Sequence, residues 1–218
     1  MEKGIYFVSG IDTDAGKSYV TGYIAREMMK KGDSVITQKF IQTGGTEPNG
    51  ISLDINIHRK IMATGLLDED LDGTTAPVIF SYPASPHLAA ILDHKEIDFS
   101  AIENSTKLLS SRYDTLLIEG AGGLYVPLKG EYTTADFIEE KGYPLILATS
   151  GKLGSINHTI LTLEACRARS INVAVLAYNR FFDSDKIIDN DTFKYICAYI
   201  KKYHKTCEII EVSKLNIR

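Results

Sequence analysis

An apolar run, Ile5 to Val8, breaks at Ser9-Gly10-Ile11-Asp12-Thr13-Asp14-Ala15-Gly16-Lys17-Ser18, and an amphipathic stretch follows at once. That junction constrains the chain more than any other part of it. Glycine at positions 10 and 16 lets the backbone turn tightly and bring its N–H groups against an anion. The amphipathic stretch, predicted as a helix over Gly16–Lys31, points the positive end of its dipole at the same place. Strand, glycine-bounded turn and Gly-Lys-Ser opening a helix together make a phosphate-binding loop. In such a loop Lys17 reaches the outer phosphates of a nucleoside triphosphate and the Ser18 hydroxyl meets Mg²⁺. The general pattern places four residues between its glycines, one fewer than lie between Gly10 and Gly16.

The remaining patterning agrees with an α/β protein. Further apolar runs at Ser34–Phe40, Thr115–Ile118, Tyr143–Thr149 and Ile171–Tyr178 are predicted strands, with a short last one at Cys207–Val212. Several are apolar throughout instead of alternating, which suits parallel strands covered on both faces. Helices are predicted at Ala101–Ser111, Thr134–Lys141, Ser155–Arg169 and Lys186–Tyr203. The alternation predicts a doubly wound, mostly parallel sheet with helices on both faces, of the P-loop NTPase kind. Gly44–Asp98 interrupts it: this stretch is rich in Gly, Thr, Pro and His, and only a helix near Leu53–Thr64 is legible. An excursion of that length is predicted to serve function. With 218 residues and no repeat or linker, the whole of 1–218 is expected to be one domain.

Charge and composition exclude other classes. A formal net charge of −4 gives no electrostatic reason to bind nucleic acid or an acidic membrane. No segment approaches the roughly 18 apolar residues of a membrane span, and the opening residues lead to the expectation of no signal peptide. Three cysteines without a CxxC pair are expected to be reduced thiols in a cytoplasmic protein.

Parallel sheets gather their ligands outside the carboxyl ends of the strands. Glu119 closes the strand Thr115–Ile118, ahead of Gly120-Ala121-Gly122-Gly123, and its oxygens suit a hard cation such as Mg²⁺. Lys39 ends the second strand, in Gln38-Lys39-Phe40-Ile41-Gln42-Thr43-Gly44, and so faces the crevice of the phosphate loop. Asp54 sits near a helix start, where an acid is also favoured by the dipole alone. Lys152 to Asn157 reads as a loop entering a helix, whose N–H groups, with Asn157, suit a carboxylate.

Taken in order, five segments resemble the dethiobiotin synthetase family: the long loop Gly10–Ser18; Lys39 with Thr43-Gly44; Ser85-Pro86-His87; Glu119-Gly120-Ala121-Gly122-Gly123; and Lys152-Leu153-Gly154-Ser155-Ile156-Asn157-His158. The resemblance spans about residues 4 to 180. It implies ATP-dependent carboxylation of 7,8-diaminopelargonate by CO₂ and closure of a ureido ring. The implied roles follow position by position. Lys17 and Lys39 stabilise the charge of a carbamate and the γ-phosphate, Thr13 orients substrate or phosphate, and Thr43, where the family has serine, contacts diamine or carbamate. Mg²⁺ falls to Ser18, Asp54 and Glu119. The nucleotide falls to Asp12, Thr13, Asp14, Ala15, Gly16, Lys17, Ser18, Tyr19, Glu119, Gly122 and Asn179. The diamine falls to Thr43, Lys152, Leu153, Gly154 and Asn157; the loop 152–157 comes from the neighbouring subunit in the family, which implies a homodimer with shared active sites.

His87 and His158 lie within these motifs and are expected to pack or to support neighbours, whereas His58, His94 and His204 lie in none and are expected at the surface. The chain departs from the resemblance after Asn179, where the family's Pro-rich segment around adenine has no counterpart, so a looser base preference is expected. Asn179-Arg180-Phe181-Phe182-Asp183 has a faint likeness to a guanine-reading Asn-Lys-x-Asp, with one residue too many. The principal alternative is a partitioning or switch ATPase with the same loop. Such proteins carry an extra lysine early in the loop, where this chain has Ile11-Asp12-Thr13. An amide-forming ligase fused to a glutamine-hydrolysing domain needs a longer chain. A plain binding module leaves Lys39, Glu119 and the 152–158 loop without a purpose.

Overall fold

A computed structural model describes residues 1–181 and 185–215. In chain order its elements are β1 (Gly4–Gly10), α1 (Lys17–Lys30), β2 (Val35–Lys39), α2 (Leu53–Met62), α3 (Asp68–Leu71), α4 (Pro86–Leu92), α5 (Phe99–Arg112), β3 (Thr115–Glu119), β4 (Pro127–Lys129), β5 (Tyr132–Thr133), α6 (Thr134–Lys141), β6 (Leu145–Ser150), α7 (Ser155–Ala168), β7 (Val173–Asn179), α8 (Lys186–Tyr203) and β8 (Glu208–Val212). Six strands form one sheet in the order β2-β3-β1-β6-β7-β8, and every pairing in it is parallel. Consecutive residues Leu116, Leu117 and Ile118 of β3 are all buried. Successive side chains point to opposite faces, so both faces of the sheet are covered, as the unbroken apolar runs predict.

The register sets the site. β1 and β2 flank β3, with Val8 and Lys39 both level with Glu119. The phosphate loop, Lys39 and Glu119 therefore leave the sheet side by side at its carboxyl edge. Gly16 turns the loop into α1 with φ 79°, a left-handed conformation that a side chain would strain. Helix α1 lies close against α2, because Gly22 leaves room for Ile61: a Cβ on Gly22 would come within 2.9 Å of the Ile61 Cβ.

The predicted elements appear within two residues of their expected ends, and the larger shifts have local causes. Helix α2 stops at Met62, before the expected Thr64, because Ala63 takes a left-handed conformation with φ 59° and returns its N–H to the Arg59 carbonyl. The stretch 44–98 adds the short helices α3 and α4 to the one legible helix, and a small antiparallel hairpin, β4–β5, follows β3. None of the helices in the described residues is long and apolar enough to cross a membrane.

Candidate active site

The carboxyl edge of β1, β2 and β3 opens into a cleft of about 870 Å³, a volume typical of small-ligand sites. Its walls include Thr13, Asp14, Gly16, Lys17, Ser18 and Tyr19 from the loop and α1, Lys39, Gln42 and Thr43 at and beyond β2, and Leu53, Asp54 and Ile57 on α2. Pro83 to Pro86, Glu119, Ala121, Gly122, Val126, Lys152 and Phe181 complete it.

At its floor, four predicted residues converge. The Ser18 hydroxyl lies 3.0 Å from Asp54 Oδ1 and 3.0 Å from Glu119 Oε1. Lys39 Nζ bridges the same two carboxylates, at 2.8 Å from Glu119 Oε1 and in contact with Asp54 Oδ2, and it donates to the Gly120 carbonyl at 3.1 Å. Burial pulls the Lys39 ammonium down, but Glu119 and Asp54 outweigh it and leave it above its ordinary value. Burial likewise pushes the Glu119 carboxyl up, and Lys39 and His58 pull harder, holding it well below the usual carboxylate range. Lys17 Nζ donates to the carbonyls of Asp12 at 2.9 Å and Thr13 at 3.2 Å. Burial lowers its ammonium against the opposing pull of Glu119.

Asp54 reaches the cluster through the start of α2. Ser52 caps that helix by accepting from the Ile55 N–H. Gln42 Oε1 in turn accepts from the Ser52 hydroxyl at 2.5 Å and from the Asp54 N–H at 3.3 Å. Gln42 has no motif of its own, so sequence reasoning passed over it.

Other predicted residues lie outside the cleft. Asp12 and Ala15 contribute carbonyls instead: the Ala15 oxygen accepts from Asn179 Nδ2 at 3.2 Å, while Asn179 Oδ1 accepts from the Phe181 N–H at 2.9 Å. Both ends of that amide are thus used within the chain. The rings of Tyr19 and Phe181 pack at a tilt of 40°, with centroids 4.5 Å apart, where both line the cleft. Phe182 and Asp183, part of the likeness to a guanine-reading motif, lie outside the described residues. Lys152 lines the cleft and donates to the Asp14 carbonyl at 3.2 Å. Leu153, Gly154 and Asn157 instead face outward, Leu153 with 86% of its surface exposed.

One expectation is overturned at the site itself. His58 is not at the surface: it is fully buried, with Nε2 2.5 Å from Glu119 Oε2 and Nδ1 3.0 Å from Thr37 Oγ1. Helix α2 turns it inward onto β2 and β3, a placement that no local pattern reveals. His204 is half-buried as well, while His94 is exposed as expected. His87 is partly buried; its Nδ1 has no hydrogen-bond partner among the described residues.

Comparison with known proteins places these residues in a lineage. A family profile described as an AAA domain matches residues 5–213. An ATP-dependent dethiobiotin synthetase of Haemophilus influenzae is 53% identical over 184 residues, covering 84% of this chain and 95% of that protein. The enzyme of the same name from Chlorobaculum tepidum is 48% identical over 203 residues, 93% of this chain and 84% of its own. Among solved structures, a Borrelia burgdorferi protein named for plasmid partition, bound to AMPPNP, superimposes with a TM-score of 0.54 at 17% identity, over all of this chain and 91% of its own. The signal recognition particle receptor FtsY of Elizabethkingia anophelis gives 0.51 at 13% identity over 95% of this chain, which spans only 58% of FtsY. These two likenesses are of fold alone.

Proposed function

This chain belongs to the ATP-dependent dethiobiotin synthetase family, and from that premise we propose that its cleft carboxylates 7,8-diaminopelargonate and closes the ureido ring of dethiobiotin at the expense of ATP. CO₂ adds to one amine and gives a carbamate. The γ-phosphoryl group of ATP passes to a carbamate oxygen, and the second amine attacks the mixed anhydride at carbon, expelling phosphate and closing the ring. Every intermediate is anionic, so the protein's task is positioning and charge neutralisation and not nucleophilic attack. Lys17 leaves its loop carbonyls for the γ-phosphate. Lys39, already fully charged between two carboxylates, sits where a carbamate can share it. Thr13 orients phosphate or substrate, and Thr43, which also lines the cleft, offers a hydroxyl to the diamine or carbamate.

Mg²⁺ fits the oxygen donors at the floor, a hydroxyl flanked by two carboxylates, as a hard cation requires. Ser18, Asp54 and Glu119 would hold it, and it would supply charge neutralisation to the β- and γ-phosphates. The remaining loop residues Asp12, Asp14, Ala15 and Gly16, with Tyr19, Gly122 and Asn179, surround the nucleotide. Because Asn179 is engaged at both ends, adenine gains little from it, and other bases are tolerated. Leu153, Gly154 and Asn157 serve a neighbouring subunit's cleft, which makes the working unit a homodimer with shared sites. The unpaired cysteines suit a reducing, cytoplasmic setting.

The observation that carries this reading is the buried Lys39 held between Asp54 and Glu119 beside Ser18: it adds, next to the metal position, a second cation beyond the loop lysine. Phosphate release from Mg·ATP, measured with and without 7,8-diaminopelargonate and bicarbonate, tests it. Release that depends on the diamine is expected, with GTP and CTP also supporting turnover. Release indifferent to the diamine would favour the partitioning or switch ATPase.

A further inference from the structure

Behind Glu119 lies a buried relay that the reaction as described leaves unused. Glu119 Oε2 meets His58 Nε2, and His58 Nδ1 meets the Thr37 hydroxyl. Thr37 Oγ1 also accepts from Arg59 Nη1 at 2.8 Å. Arg59 is fixed in turn by a two-point pairing with Asp70, both contacts at 2.8 Å, and Asp70 accepts from the Thr75 hydroxyl and the Leu67 N–H, each at 2.8 Å. All five side chains of the relay, His58, Thr37, Arg59, Asp70 and Thr75, are buried.

The donors and acceptors along the relay are consistent with one direction. A threonine hydroxyl has one proton to give. Arg59 can only donate, so of the two neighbours of Thr37 Oγ1 only the imidazole Nδ1 can accept that proton. Glu119 as a carboxylate can only accept, so His58 carries a proton on Nε2 and donates it to Glu119. Arg59 and Asp70 cancel each other's charge, so the relay delivers a hydrogen bond and no net charge.

We infer that His58 is a positioning residue for the metal carboxylate: the Thr37–Arg59–Asp70 relay locks it as the Nε2–H tautomer, which pins Glu119 Oε2 and turns Oε1 toward Ser18. The inference rests on the proposed function for the metal's purpose, yet its geometry stands apart from the choice of substrate. Outer partners of this kind typically set metal affinity by about tenfold to a hundredfold.

The test reads metal binding and tautomer directly. Mn²⁺ binding, followed by the loss of the free-ion EPR signal in the presence of a non-hydrolysable ATP analogue, is compared among wild type, His58→Leu and His58→Gln. His58→Leu is expected to bind about tenfold more weakly or worse, and His58→Gln, whose amide can still donate to Glu119, to recover most of the loss. In steady state the same variants raise the Mg²⁺ requirement and leave KM for the diamine unchanged. Nitrogen-15 NMR of the wild-type histidines is expected to show His58 with a bare Nδ1 and a protonated Nε2, a preference that Thr37→Val releases. A folded His58→Leu that binds Mn²⁺ like wild type, equal losses in the Leu and Gln variants, or a His58 protonated on Nδ1 would each overturn the inference. Should His58→Leu fail to fold, the Gln variant and the wild-type spectrum still decide. If the wild-type chain released no phosphate in response to the diamine, the proposed function would fall while the Mn²⁺ and NMR results would still judge His58.

Discussion

Lys17 and Lys39 line one cleft from different electrostatic positions, and the effects of removing them should separate. Lys17 leans on two carbonyls, which can turn to water when it is gone. Lys39 neutralises two carboxylates, one of them fully buried. Lys17→Ala is therefore expected to abolish turnover with an unfolding midpoint close to wild type. Lys39→Ala should abolish turnover and also cost on the order of 3 kcal/mol, because it strands a buried charge; urea denaturation in EDTA, where no cation can replace the lysine, measures it. Equal stability losses in the two variants would contradict the arrangement. Burial also decides the cysteines. It pushes the Cys166 thiol up to about 12 and the Cys207 thiol up to about 11, so at pH 8 both stay protonated. Iodoacetamide should leave Cys166 unmodified in the native protein, as mass spectrometry of the digest would report, and label it in urea. At this scale the sequence was most informative where a residue closes a strand: Lys39 and Glu119 stand at predictable ends, and the phosphate loop declares Lys17 and Ser18 outright. His58 was illegible for the opposite reason. It meets a carboxylate 61 positions away, across a helix–sheet contact that no local periodicity encodes.

Elements carry these residues, and the contact between α1 and α2 sets how far Ser18 on one stands from Asp54 on the other. Gly22 is what permits the close approach to Ile61. Gly22→Val should push the helices apart, cost about 1–3 kcal/mol through overpacking and weaken Mg²⁺ binding. Adding Ile61→Ala should restore part of both, a coupling that a double-mutant cycle would expose. A second element-scale expectation concerns α6, which opens with a capping box between Thr133 and Asp136. The Thr133 hydroxyl, with the backbone N–H and Arg169, holds the Asp136 carboxyl down to about 2, against an ordinary 3.8. A depressed carboxyl contributes stability that is fully present above its unfolded value and fades as pH falls through the folded one. The stability gap between wild type and Asp136→Asn should thus be constant near pH 6 and close between about pH 4 and 2, as thermal melts across that range would show. Caps like these explain why α6 and α8 appear at their predicted bounds, since Thr133, Gly142 and Asp185 announce the ends in the sequence. The stretch 44–98 was opaque because its order comes from elsewhere: α3 has a single turn, and residues 78–80 are held by Gln42, whose N–H donates to the Val78 carbonyl and whose carbonyl accepts from the Phe80 N–H, not by sequence neighbours.

For the whole molecule, the question is whether one chain makes one site. The cleft takes Lys152 but not Leu153, Gly154 or Asn157, which stand on the outer surface at the start of α7 beside the exposed Leu161. A helix N-terminus with an outward asparagine and an 86%-exposed leucine is poorly spent on solvent, and it suits the carboxylate of a substrate lying in a second copy's cleft. Asn157→Ala should then raise KM for 7,8-diaminopelargonate far more than KM for ATP. Mixing separates a shared site from a private one. In a dimer of Lys17→Ala with Asn157→Ala, one cleft combines the intact Lys17 of one chain with the intact Asn157 of the other, and the second cleft carries both lesions. Refolding the two variants together in equal amounts makes half of the dimers mixed, each with one whole site of two, so activity at low diamine should recover to about a quarter of wild type. If each chain completes its own cleft, the mixture gives only the mean of the two parents, a mean set by the residual turnover of Asn157→Ala alone.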